Sequence, residues 1–104
     1  MKKLCYLLLT CSEDQKDLIA KTLLEKRLIV CAKFIPVNSM YNWQGKIANE
    51  DEVAILMETA ENLFATIEAE IAKIHSYDTF VLTQIPITNI NSAARSWMED
   101  ELDH

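Results

Sequence analysis

Between Ile35 and Met57 the chain carries one strong turn signal, Gln44–Gly45, flanked on both sides by residues suited to extended backbone. Ile35 to Trp43 leads into it, and Val53 to Met57 is the apolar part of the return. The glycine supplies the positive φ that a tight reversal needs. This spacing predicts a single hairpin with arms far longer than the ~5–6 residues of an ordinary strand. One Gly and two Pro in 104 residues leave few other breaks, so the remaining loops should be short.

Tyr41 and Trp43 fall on one face of the first arm, in the part that would project beyond the sheet of a single domain. Exposed strand edges and aromatic side chains are normally covered by something. A second copy of the chain is the simplest cover, and aromatics are enriched in interface cores. Tyr41 and Trp43 are therefore read as interface residues. A chain of this length has a thin core, which oligomerisation also remedies.

The rest of the chain falls into alternating periods. Leu4 to Leu9 is a continuous apolar run, predicted to be a central strand buried on both faces. Ser12 opens a helix, with Gln15 completing a capping box and Glu13 and Asp14 at its positive end. Ile19, Ala20, Leu23 and Leu24 form its stripe, and Lys26 and Arg27 close it. Ile29 to Val37 reads as a strand in which Pro36 demands an edge or a bulge. Thr59 caps a second helix with the stripe Leu63, Ile67, Ile71 and Ile74, widened by Phe64 and ending near His75–Ser76. Thr79 to Ile87 is the last predicted strand, stopped by Pro86. A short helix from Asn91 or Ser92 carries Ala94, Trp97, Met98 and Leu102, with Trp97 packed on the sheet or on a neighbouring copy. The order βαββαβ plus a C-terminal helix makes residues 1–104 one α+β domain, ferredoxin-like, with two helices on one face of an antiparallel sheet.

The formal net charge is -6 and no Lys/Arg run interrupts it, so nucleic acid is not an expected partner. No apolar stretch is long enough to span a membrane. Met1-Lys2-Lys3 and the short run after it lack a small-residue cleavage site and read as a strand rather than a leader. Cys5, Cys11 and Cys31 are odd in number and show no Cys-x-x-Cys spacing, which points to a reducing, cytoplasmic location without disulfides. Cys5 and Cys31 read as core thiols. The chemistry-bearing candidates are few. His75 is the one internal histidine, and its imidazole is a ligand for copper or zinc, with Asp78 as a hard oxygen ligand. Cys11 is the thiol to join them, since Thr10, Ser12 and Glu13 suggest partial exposure. The group Glu50, Asp51 and Glu52 reads as a solvated face, at most a low-affinity cation patch. No phosphate-cradling Gly loop, nucleophile elbow or His-Glu-x-x-His motif is present, so no enzymatic activity is expected.

Leu28-Ile29-Val30-Cys31 leading to Pro36, Ser39-x-Tyr41-x-Trp43-x-Gly45-Lys46-Ile47, Glu52 before an apolar strand, His75-x-Tyr77, Pro86 and a late Trp97 resemble the divalent-cation-tolerance (CutA) family in order and spacing. The resemblance covers nearly the whole chain. It implies a ferredoxin-like homotrimer in which the long hairpins of three protomers pair edge to edge, and a link to copper or other divalent metals. The chain departs from the family pattern at several positions. Asp78 and Phe80 follow His75 where two glutamates are usual, Glu58 replaces a lysine, and Asn91 stands in place of a glycine. Two roles are compatible with these features: divalent-metal tolerance or response, and a trimer that senses a small molecule or serves as a protein scaffold.

Overall fold

Leu4–Cys11 (β1), Cys31–Trp43 (β2), Lys46–Ala60 (β3) and Leu82–Pro86 (β4) form one antiparallel sheet in the order β2-β3-β1-β4. Lys16–Glu25 (α1) and Phe64–Ile74 (α2) each follow a 3₁₀ turn, at Glu13–Gln15 and Glu61–Leu63, and Ser92–Glu101 (α3) closes the chain. The structure, a computed structural model, describes residues 2–102. The strand order and the two βα units are those of a ferredoxin-like fold. None of the described helices is long and apolar enough to cross a membrane.

Alternation along the strands divides the sheet into two unlike faces. Cys5, Leu7, Leu9 and Cys11 of β1 and Val53, Ile55 and Met57 of β3 point to one side. There they join Ile19, Leu23, Ile67, Ile71, Met98 and Leu102 in a single buried cluster. The other side carries Tyr6, Leu8, Leu56, Ile35 and Ile85, all half-buried or exposed. β1 is thus central, as its apolar run predicts, but only its helix-side face is fully buried within one protomer.

The hairpin is as long as the sequence indicates. β1 pairs with β3 only from Val53 to Ala60, so Val37–Trp43 and Lys46–Glu52 pair with each other alone. This arm stretches the molecule to 45 × 26 × 21 Å. Gln44 and Gly45 both have positive φ, 51° and 78°, the requirement of a two-residue type I′ turn. Pro36 sits on the edge strand β2 in regular register with Val53, without a bulge.

Several local expectations are overturned, three of them because polar side chains find partners other than a helix cap. Ser12 makes no cap hydrogen bond and gives its hydroxyl to Asp14 Oδ1 at 2.5 Å. Gln15 instead reaches the end of α2, donating to the Ile74 carbonyl (3.0 Å) and accepting from the Ser76 amide (2.7 Å). The last carbonyls of a helix lack intrahelical donors, and the Gln15 amide satisfies one of them. Thr59 does not cap α2 either. It lies within β3, and its buried hydroxyl donates to the Leu28 carbonyl at 2.6 Å. β4 begins at Leu82 rather than Thr79. Asn91 has φ -66° and needs no left-handed conformation. In α3, Met98 and Leu102 are buried while Trp97 is 46% exposed, so Trp97 does not pack fully on its own sheet.

Arg27 has an unexpected role. Its φ of 58° and the bonds Arg27 N–H to Leu24 O and Leu28 N–H to Leu23 O form a Schellman ending for α1. Its guanidinium then donates to the carbonyls of Glu101 (2.9 Å) and Asp100 (2.8 Å). One residue therefore closes α1 and caps the C-terminal end of α3.

Candidate functional site

α2 stops at Ile74, and His75 continues in extended conformation (φ -69°, ψ 137°), which carries its ring toward the end of β1. Nε2 lies 3.0 Å from the Thr10 carbonyl, and Nδ1 accepts from the Tyr77 amide at 3.0 Å. A ring that accepts at Nδ1 is neutral and holds its proton on Nε2; this tautomer follows from the partners. Phe80 stacks on the ring (centroids 5.2 Å, 14° between planes) and Tyr77 tilts against it (4.6 Å). Phe80, which departs from the family pattern, is thus used for packing against His75.

The end of β1 and the end of α2 meet through the Thr10 backbone. Cys11 is fully buried, contrary to the partial exposure its polar neighbours suggest. Thr10 and Ser12 alternate with it, and in a strand adjacent side chains face opposite sides. Burial pushes the Cys11 thiol up to about 11, with Glu52, Glu13 and Asp14 adding to the effect and Lys16 opposing it. Cys31 is also unlike its expectation: it is half-exposed on the open face, with Lys33 Nζ 3.4 Å from its sulfur. Lys33 also pairs with Glu58, so the acidic residue that replaces the family's lysine has a cation beside it. Among the described residues no three His, Cys, Asp or Glu side chains converge in a group able to hold a metal ion.

The neighbouring feature is a cleft of about 540 Å³ on the open face. Its walls include Tyr41, Trp43, Glu50, Glu52, Tyr77 and Asp78. The Tyr77 phenol donates to Glu52 Oε1 at 2.8 Å. Partial burial, and then the Glu52 carboxylate it bonds, push the Tyr77 phenol well above its ordinary value, so it remains a donor. Tyr41 is raised by the same kind of causes, burial first and Glu50 second. The acidic run therefore does not behave as one solvated face. Asp51 is exposed and accepts from Asn38 at 2.8 Å, while Glu52 is only 9% exposed. The signal for this was present in the sequence as alternation: Ser39 pairs with Glu50 and Val37 with Glu52, which sets both glutamates on the face of Tyr41 and Trp43. His75 and Glu52 are joined through Tyr77, which contacts one by its ring and amide and the other by its hydroxyl.

Residues 5–101 match the CutA1 divalent ion tolerance protein family. The chain is 33% identical over 92 residues to the divalent-cation tolerance protein CutA of Archaeoglobus fulgidus, spanning 88% of this chain and 90% of that one. It is 31% identical over 88 residues to the divalent-cation tolerance protein CutA of Pyrococcus horikoshii, with 85% and 86% covered. The solved structure of the periplasmic divalent cation tolerance protein CutA from A. fulgidus superposes with a TM-score of 0.93 at 31% identity, covering 96% of this chain and 99% of that one.

Proposed function

Because the chain belongs to the CutA1 divalent ion tolerance family, we propose that it acts in divalent-cation tolerance as a homotrimer, with copper or zinc as the ion handled. The observation that carries the assembly is the uncovered half of the protomer. The open sheet face and the projecting arm together expose Ile35, Met40, Trp43, Ile47 and Ile85. Apolar surface of this extent on a small protein marks an interaction site, and the arm's unpaired edges offer main-chain partners to another copy. Trp43 and Tyr41 belong to that interface, and Trp97, half exposed on α3, joins it.

His75 is the imidazole to test for copper or zinc, with Cys11 as its weak companion. An ion there must displace the Thr10 carbonyl from Nε2 or the Tyr77 amide from Nδ1, and must take the proton from a buried thiol. Both steps oppose binding, so weak affinity is expected. The three unpaired thiols support a reducing, cytoplasmic location.

A second reading, a trimer that senses a small molecule, is favoured by the aromatic and acidic cleft on the open face. Titration calorimetry of Cu(II) and Zn(II) into wild type and His75→Ala, with light scattering for the oligomeric state, separates the two. Saturable binding at a fixed ratio per protomer, lost in the variant, supports metal handling at His75. Unsaturable heats unchanged by the variant mean ordinary attraction of cations to an acidic surface and favour the sensing reading. A monomer in solution refutes the assembly.

A further inference from the structure

The arm, Val37–Trp43 with Lys46–Glu52, meets the body along one line. β3 pairs with β1 as far as Val53, opposite Cys11, and beyond it β2 and β3 have only each other. A two-stranded ribbon is marginal in water, and its own ladder does not set the angle at which it leaves the sheet. On the helix side of that line lies an open hollow of about 400 Å³, walled by Glu13, Pro36, Asn38, Asp51 and Val53, so close packing does not set the angle there. Tyr77 stands on the opposite, open-face side. Side-chain bonds inside the arm are local: Asn38 donates to Asp51, and Asn49 donates to Asn38 and to the Ser39 carbonyl. Among the described residues, the bond from the Tyr77 hydroxyl to Glu52 Oε1, at 2.8 Å, is the one that ties an arm side chain to the rest of the chain. Glu52 is the first arm residue past the line and is only 9% exposed, so water replaces a lost phenol poorly.

The other end of Tyr77 is fixed to the body. Its amide donates to His75 Nδ1, and His75 Nε2 lies against the Thr10 carbonyl, at 3.0 Å each. Gln15 holds the peptide groups on both sides of His75, through the Ile74 carbonyl and the Ser76 amide. Strand pairing resumes only at Leu82, so these side-chain bonds, and no ladder, set the position of Tyr77. We propose that Tyr77 is the positioning residue of the arm: it braces Glu52 from a fixed point on the body and sets the angle at which the arm meets another copy of the chain. The consequence for assembly rests on the homotrimer reading. The brace itself needs neither a metal nor a ligand, and it works equally well once another protomer covers the open face.

Amide hydrogen exchange on the full-length protein, wild type against Tyr77→Phe, with dilution light scattering on the same samples, tests it. The variant loses the hydroxyl and keeps the ring beside His75. Arm amides, 37–52, are expected to exchange roughly tenfold faster while those of β1 and α2 stay unchanged. The concentration at which the assembly half-dissociates should rise at least about tenfold, because a shielded carboxylate loses its hydrogen bond. A residue that only supported the core would speed exchange in β1 and α2 as well. Glu52→Leu removes the acceptor, and in that background Tyr77→Phe should change either readout by less than about twofold. Unchanged arm exchange in Tyr77→Phe overturns the proposal, as does exchange raised equally in arm and body. An undiminished effect of Tyr77→Phe in the Glu52→Leu background overturns it too, since the hydroxyl then acts elsewhere. Faster arm exchange with unchanged dissociation overturns the link to assembly. A monomeric wild type removes the homotrimer reading and that link together, while the exchange comparison still decides whether Tyr77 braces the arm.

Discussion

The two halves of the β2–β3 hairpin share one ladder and one register yet live under different physics. In the half nearest the helices, Val53, Ile55 and Met57 are 3%, 0% and 0% exposed and belong to the core. In the far half, Met40, Trp43 and Ile47 are 72%, 47% and 74% exposed. The near half is held by burial against α1 and α2, and the far half by cross-strand hydrogen bonds and its turn. An isolated two-stranded ribbon is marginal in water. The far half is therefore left without cover by the described residues of its own chain, which is the observation behind the proposed assembly.

The largest effect is expected in the helix-covered half. Ile67→Ala should lower the unfolding free energy by about 2–5 kcal/mol, read by urea denaturation at fixed protein concentration. A loss well under 1 kcal/mol would show that the core is not where the stability resides. Trp43→Ala should leave the protomer's fold intact while weakening assembly by roughly 2 kcal/mol, as for a central aromatic of an interface. Trp97→Ala should do less, and equal effects by dilution light scattering would break the distinction between arm and body.

A pH series sharpens the same contrast, because both fully buried thiols lie in the body. Cys5 and Cys11 are each pushed from 9.0 up to about 11, Cys5 by burial and then Glu61, Cys11 by burial and then chiefly Glu52. A raised pKa means the folded protein keeps a proton that the unfolded chain has lost. The contribution is therefore whole below pH 9 and is lost as pH rises through about 11. Denaturation midpoints should fall over that interval, and a flat profile there would contradict the thiols' burial. The smallest effect belongs to the turn. Gln44 holds a positive φ without being Gly or Asn, so Gln44→Asn should stabilise the ribbon by up to about 1 kcal/mol. A loss of stability would mean that the Gln44 side chain has a role in assembly.

Elements with a strong period were legible from the residues alone. The stripe Leu63, Ile67 and Ile71, the central run Leu4 to Leu9 and the Gln44–Gly45 reversal all lie where their spacing places them. Side chains with more than one possible partner were not. Ser12, Gln15 and Thr59 each fit a local cap, yet distant carbonyls and the Asp14 carboxylate compete for them and win. Cys11 was read from its neighbours in sequence, although a strand sends those neighbours to the opposite side. The cleft was missed for a related reason: Glu50, Asp51 and Glu52 look like one acidic run until alternation separates them.

By itself the sequence determined the order of elements, the ferredoxin-like class, the overlong hairpin and the family, because these follow from periodicity, one turn and a motif spread along the chain. The tertiary structure alone decided that His75 meets the Thr10 carbonyl, that Arg27 closes two helices, and that Glu52 is shielded and bonded to the Tyr77 hydroxyl. Those outcomes depend on which groups from remote segments arrive within about 3 Å of one another. Local spacing carries no information about that distance.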